Sequence, residues 1–232
     1  MVSFVTKCAR SLVPYGVILL YRKMANEKIS SAQQRWLEVE GDFTLRLDCP
    51  YLTENSVVFD VGGYRGNWAK DIFAKYLPNI YIFEPVKRYY DSMVSFFEKN
   101  GKIFLYNHGF GKENMELEIS LNEDGSSVFL KSNQCENVNV VKASEFIDTN
   151  NITFIHLMKL NVEGAEFDII EDLYKNNLLE RIGHLQIQFH DFIDDAQLRL
   201  ERCREMLLET HCQDYCFDYV WEGYSLREDK IY

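Results

Sequence analysis

Two glycine-punctuated stretches and one histidine carry residue types suited to chemistry. Asp60-Val61-Gly62-Gly63-Tyr64-Arg65-Gly66 follows the strand-like run Ser56-Val57-Val58-Phe59 and precedes a helical pattern that starts near Asn67. Glycines at such a turn let the backbone bend tightly and approach a ligand that a side chain would strike. The next apolar run ends in Phe83-Glu84-Pro85. An ionised carboxylate is an acceptor-only group, so Glu84 can accept hydrogen bonds from both hydroxyls of a ribose. Asp60, Gly62, Gly63, Tyr64, Gly66, Asn67, Glu84 and Pro85 are therefore candidate contacts for a nucleoside-containing cofactor. Val61 stands where a dinucleotide fingerprint needs glycine, and Asp60 would repel a pyrophosphate. S-adenosyl-L-methionine, with a ribose, an amino group and a sulfonium but no phosphate, fits both departures. An NAD-type oxidoreductase is the rival reading.

The second stretch, Lys159-Leu160-Asn161-Val162-Glu163-Gly164-Ala165-Glu166, lies where an apolar strand gives way to a helix. Strand alternation places Lys159, Asn161 and Glu163 on one face, toward the cleft bordered by the glycine turn. In an open α/β sheet that edge holds substrates. Glu163 and Glu166 equally suit the positive end of a helix dipole. The histidine is His190, which with Asp191 closes the run Gln186-Ile187-Gln188-Phe189 beside the same cleft. Methyl transfer to a hydroxyl needs two positioned reactants and a base for the proton. Imidazole has a suitable pKa, and Asp191 could orient it. His190 or Glu163 is expected to act as base, with Lys159, Asn161 and Asp191 facing the acceptor. His108, after the third strand, is expected to contact the adenine. Glu163, Glu166 and Asp191 would offer oxygens to a hard cation such as Mg²⁺, but no metal site is assigned. Cys203, His211, Cys212 and Cys216 match the spacing of a structural zinc site only weakly.

These groups need a sheet to hold them. Strand-like runs at 56–61, 79–85, 102–106, 152–161 and 184–190 alternate with amphipathic stretches at 67–76, 87–100, 165–176 and 196–210, the pattern of a βαβ chain. A β-rich excursion at 116–121, 127–130 and 138–141 interrupts it. The expected fold is an α/β, Rossmann-like, doubly wound and mostly parallel sheet with right-handed crossovers and an antiparallel hairpin at its edge near 215–232. An N-terminal basic helical extension, residues 1–50, would precede a domain spanning 51–232.

The chain resembles the FkbM family of S-adenosylmethionine-dependent methyltransferases. Its glycine turn is similar to that family's D-x-G-A-x-x-G, Phe83-Glu84-Pro85 matches F-E-P, and Lys159 to Glu166 is similar to K-x-D-V-E-G-x-E. Asp124-Gly125-Ser126-Ser127 also resembles a Gly/Ser loop common there, which implies Ser126 and Ser127 as acceptor contacts. Gly63 stands where alanine is usual, read as a harmless loss of a methyl, and Asn161 replaces aspartate, removing a negative charge. The resemblance implies a class I methyltransferase fold and transfer of a methyl group to an oxygen, often a hydroxyl of a sugar or polyketide. A methyltransferase-like module that binds without turnover is the reading that Asn161 motivates.

Composition sets the outer limits. The 232 residues include 25 Lys plus Arg against 36 Asp plus Glu, net −11, and 47% are apolar, enough for a sizeable core. Residues 1–35 hold Lys7, Arg10, Arg22, Lys23, Lys28 and Arg35 against Glu27, net +5, which leaves −16 for the rest. An acidic body of this kind argues against nucleic acid as partner. The basic segment, with Leu12, Val13, Ile18, Leu19 and Leu20, is read as a contact for a second copy or for the surface of an anionic membrane. Its apolar run is far below the roughly 20 residues that span a bilayer. Six cysteines without a CxxC pair suggest reduced thiols and a cytoplasmic setting.

Overall fold

A computed structural model describes residues 29–122, 125–127 and 135–230, with the side chains of 120–122 and 125–127 outside the description. The chain enters through α1 (Ser31–Glu38) and the single turn α2 (Gly41–Thr44). Ser30 starts α1 with a reciprocal cap: its hydroxyl accepts from the Gln33 amide at 3.1 Å while the Gln33 side chain accepts from the Ser30 amide at 2.9 Å. The alternating core follows as β1 (Val57–Val61), α3 (Asn67–Tyr76), β2 (Asn79–Phe83), α4 (Lys87–Phe97) and β3 (Ile103–Tyr106). The β-rich excursion comprises β4 (Gly109–Gly111), β5 (Met115–Asn122), β6 (Gly125–Ser127) and β7 (Cys135–Lys142). The chain then returns through α5 (Ala143–Thr149), β8 (Leu157–Leu160), α6 (Glu166–Lys175), β9 (His184–Ile187), α7 (Ala196–Thr210), β10 (His211–Phe217) and β11 (Trp221–Leu226).

Seven strands form the main sheet in the order β10-β11-β9-β8-β1-β2-β3. All run parallel except β11, which is antiparallel to both neighbours. That is the expected doubly wound sheet with an antiparallel hairpin, the topology of a class I methyltransferase. The excursion builds a separate four-stranded sheet, β4-β7-β5-β6.

Period-two alternation divides the strand residues between two cores. Phe59, Val61, Phe83, Met158, Leu160, Leu185 and Ile187 pack with residues of α5, α6 and α7. Val58, Ile80, Ile82 and Leu157 pack on the opposite face with Trp68, Ala69 and Ile72 of α3 and Met93 and Phe97 of α4. Asp60 and Lys159 share the parity of Val58 and Leu157, so both point to the α3 face.

Three expectations are corrected. The strand read at 152–161 is only Leu157–Leu160, because the preceding stretch joins the sheet by the single bridge Ile155–Ile182. The strand read at 127–130 is Gly125–Ser127, and 128–130 lie outside the described residues. The domain boundary at residue 50 cuts through packed structure. Trp36 is wholly buried with Ala32, Val220 and Trp221, Cys49 and Leu52 belong to the α3-face core, and the Gln186 amide donates to the Leu45 and Arg46 carbonyls at 3.3 and 3.1 Å. Residues 29–50 are therefore part of the domain. Residues 1–28, and with them most of the segment read as a membrane or subunit contact, lie outside the described residues.

Candidate active site

The glycine turn folds over the end of β2: the amides of Gly62 and Gly63 both donate to the Phe83 carbonyl, at 3.0 and 3.1 Å. Gly62 has φ +82°, and a Cβ there would lie 1.9 Å from the Asn161 carbonyl oxygen. Gly63 is needed for a different reason. A Cβ would lie 2.2 Å from Ile82 Cγ2, so the missing methyl is a packing requirement here and not a harmless loss.

Past the turn, Tyr64 (φ +52°) donates its amide to Glu84 Oε2 at 2.7 Å, and the Val86 amide donates to Oε1 at 2.9 Å. The Asn107 side chain fixes the same corner by donating to the carbonyls of Glu84 and Pro85, both at 3.0 Å. Burial pushes the Glu84 carboxyl up to about 7 despite those two amide donors. His108 sits on the aromatic cluster of Phe83, Tyr106, Phe110 and Phe146, and burial lowers its pKa, favouring the neutral ring. Asn67 opens α3, and Pro85 lies against Gly109. Tyr64, Glu84, Pro85 and the glycines thus form one corner. The sequence gives no sign of Asn107's part, because no motif marks an asparagine directly after a strand's end.

Lys159 overturns its sequence reading. Only 4% exposed, it donates to Asp60 Oδ1 at 2.8 Å and to the Gly62 carbonyl at 2.7 Å, with its ammonium 6.0 Å from the Trp68 ring. Asp60 and Lys159 are register partners on adjacent parallel strands, so the contact follows from pairing and parity. Burial draws the Lys159 pKa down while Asp60 opposes that shift. Lys159 therefore faces the glycine turn and no acceptor, and Asp60 brings no uncompensated charge. The face-sharing argument fails past Leu160 because strand geometry ends there: Glu163 and Gly164 have φ +54° and +108°. Asp60 Oδ2 and Asn161 Oδ1 are buried without a protein hydrogen-bond partner.

At the ends of β8 and β9 three side chains converge. His190 Nδ1 makes a very short hydrogen bond to Glu166 Oε1, and Nε2 lies 3.8 Å from Glu163 Oε2. Glu166 is fully buried at the start of α6, where its Oε2 also accepts from the Gly164 amide at 2.9 Å. It ties down the turn that leads into its helix and orients the imidazole at once. Burial opposes charge on His190, but Glu166, Glu163 and Asp191 outweigh it and raise its pKa. Burial likewise raises the Glu163 carboxyl. The orienting carboxylate is thus Glu166 and not Asp191, which is exposed. The G-x-E spacing carried that signal, since Glu166 follows directly on the turn that aims Glu163.

Other candidates separate. Ser126 and Ser127 lie on β6, paired with Leu121 and Ser120, and their side chains are outside the described residues. The zinc candidates do not converge: His211 is bonded to Thr210 Oγ1 and the Ile182 carbonyl, and Cys203 faces the Phe167 carbonyl. Cys216, Asp218 and Glu222 do cluster, but the Arg204 guanidinium donates to all three.

Strand order, the glycine turn and the acid closing β2 define a class I methyltransferase domain. The chain matches the methyltransferase FkbM domain over residues 60–217 and belongs to that family. Its family is one of methyltransferases, so the oxidoreductase reading falls. No curated protein matches it. Among solved structures it is similar to an rRNA methylase from Streptococcus thermophilus (12% identity, 82% of this chain and 95% of that one, TM-score 0.46). It is also similar to M. capricolum TrmK in complex with S-adenosyl-homocysteine (13%, 79% and 69%, 0.46) and to the N-methyltransferase NodS from Bradyrhizobium japonicum WM9 (11%, 84% and 98%, 0.46). Among the described residues, no helix is long and apolar enough to cross a membrane.

Proposed function

We propose that this chain is an S-adenosyl-L-methionine-dependent O-methyltransferase whose acceptor is a hydroxyl of a sugar, glycan or related natural product. The observation that carries the reading is the His190–Glu166 pair, with Nε2 on the side of Glu163 and the glycine-turn corner at the same edge of the sheet. The corner suits the cofactor: Glu84 offers carboxylate oxygens with spare lone pairs, and Asp60 Oδ2 is a buried acceptor lacking a partner. Glu84, Asp60, the glycines and the neutral His108 ring would hold it. When bound, it supplies an electrophilic methyl on a sulfonium leaving group.

The protein's own part is positioning and proton transfer. Glu166 accepts the Nδ1–H bond and so keeps the Nε2 lone pair available to the acceptor hydroxyl. As the oxygen gains its methyl, its proton passes to Nε2, and Glu166 stabilises the imidazolium that forms, as the carboxylate does in a catalytic triad. Glu163, held at φ +54°, would accept from a second hydroxyl of the acceptor. Neither step calls on Mg²⁺. The basic N-terminal segment, net +5 over residues 1–35, would suit a membrane surface carrying a lipid-linked glycan or a second copy of the chain.

The test is calorimetric binding of S-adenosylhomocysteine followed by isotope-labelled methyl transfer to a panel of sugars and glycans. Binding to the wild type, its loss in Glu84→Ala and transfer to a hydroxyl are expected. Absence of binding, or undiminished binding by Glu84→Ala, would sink the assignment. Binding without transfer to any hydroxyl would leave a binding module.

A further inference from the structure

Lys159 is a buried charge that the proton-transfer scheme does not use. A lysine taken out of water needs compensation, and replacing one partner of a buried pair leaves the other uncompensated. Lys159 has that compensation from Asp60 Oδ1, yet it spends a second bond, the shorter of the two at 2.7 Å, on the carbonyl of Gly62. That carbonyl belongs to the turn and not to the ladder. The Gly62 amide is fastened to Phe83, and with its carbonyl fastened to Lys159 both ends of the residue are held. Gly62 lies at φ +82° with no Cβ to restrict it, so it has much conformational freedom to lose. The same ammonium occupies one Asp60 oxygen and leaves Oδ2 as the partnerless acceptor.

We propose that Lys159 is a positioning residue for the cofactor: by joining Asp60 Oδ1 to the Gly62 carbonyl it freezes the glycine turn and presents Asp60 Oδ2 as the free acceptor. It touches neither cofactor nor acceptor, and acts by removing the cost of ordering the turn at binding. The assignment rests on the cofactor site proposed above. Its prediction is a change in affinity and in local exchange, confined to the turn.

The experiment compares wild type and Lys159→Met by calorimetry with S-adenosylhomocysteine and by amide hydrogen exchange without ligand. The variant is expected to bind at least about tenfold more weakly, the loss expected when a preorganised loop must be ordered on binding. Exchange at Gly62, Gly63 and Tyr64 is expected to quicken at least as much, with β3 and β9 unchanged. A merely structural lysine would instead raise exchange across the whole sheet. Affinity within twofold of wild type, unchanged exchange at the turn, or a sheet-wide rise would each overturn the proposal. If Lys159→Met fails to fold, Asp60→Asn/Lys159→Met removes the uncompensated charge, and the same two readouts are taken against Asp60→Asn alone. A wild type that binds no S-adenosylhomocysteine would refute the proposed function, while the exchange arm would still decide the role of Lys159.

Discussion

Two buried ion pairs stand at the carboxyl edge of the same sheet, and they are built for opposite ends. Asp60–Lys159 joins adjacent strands β1 and β8, is sealed at 0% and 4% exposure, and ends on a backbone carbonyl. Glu166–His190 joins a helix start to a strand end, and its imidazole keeps a second nitrogen within 3.8 Å of another carboxylate. The first pair can only hold, since both bonds of the Lys159 ammonium end on the protein itself, at Asp60 Oδ1 and the Gly62 carbonyl. The second can pass a proton on, because an imidazole takes up and releases a proton in the physiological range and His190 keeps Nε2 apart from its bond to Glu166. One half of the site is thus fixed before ligand arrives, and the other is poised to titrate.

The strongest way to break that contrast is His190→Ala. Loss of a general base lowers turnover by about 10² to 10⁴-fold, while S-adenosylhomocysteine affinity should stay within about twofold of wild type, since His190 lies outside the glycine corner. Single-turnover methyl transfer and calorimetry read the two effects separately. An intact rate would remove the titrating half of the comparison.

Gly63→Ala probes the holding half alone. Its Cβ would meet Ile82 Cγ2 at 2.2 Å, so the overpacked core should lose about 1–3 kcal/mol, seen as a lower urea midpoint. Stability equal to wild type would mean that the turn yields and is not fixed.

A smaller effect sharpens the contrast by titrating the cofactor corner. Buried Glu84 has its pKa raised to about 7, so the folded state binds a proton that the unfolded state releases at lower pH. Without ligand, stability therefore falls as pH rises from the ordinary carboxylate range through about 7. Ligand affinity runs the other way, because ribose hydroxyls need the ionised acceptor. Between pH 6 and 8 it should rise about tenfold, equivalent to about 1.4 kcal/mol, with proton release on binding. Calorimetry in buffers of different ionisation enthalpy checks both, and a pH-independent affinity would remove Glu84 from the contact.

Legibility followed the same division. Where a feature depends on local pattern and turn chemistry, the sequence is enough: the alternation of strands and helices, the glycine turn and the acid closing β2 are all readable. What depends on register across the sheet is not. Lys159 faces Asp60 because β1 and β8 pair with those residues opposite, a fact absent from either segment alone. Glu166 is a helix-start residue, as the sequence indicates, but its meeting with His190 depends on the path of the chain beyond β9, which ends at Ile187 opposite Leu160 and not at His190. Residues 29–50 are grouped by the sequence reading with the basic segment 1–35, although they are themselves acidic, with Arg35 and Arg46 against Glu38, Glu40, Asp42 and Asp48, and Trp36 and Cys49 bury themselves on the sheet. Composition shifts mark charge, and packing decides domains.

The finest test concerns what Glu166 does to the imidazole. Burial alone would lower the His190 pKa, and Glu166 is the chief influence raising it. Stability from this pair is fully present below the pKa of an unfolded histidine and is lost as pH rises through the raised folded value. The rate has the opposite slope, because a base must be neutral: methyl transfer should climb with pH through that same raised value. Glu166→Gln keeps an acceptor for Nδ1–H but removes the charge. Burial then dominates, the pKa drops, and the acid limb of the rate profile moves to lower pH. The plateau also falls, since the imidazolium formed during transfer has lost its counter-charge. A profile that keeps its midpoint in Glu166→Gln would mean that His190 is not the titrating base. A midpoint that moves down while S-adenosylhomocysteine affinity stays level would locate the proton chemistry in this pair and leave Asp60–Lys159 as the part that only holds.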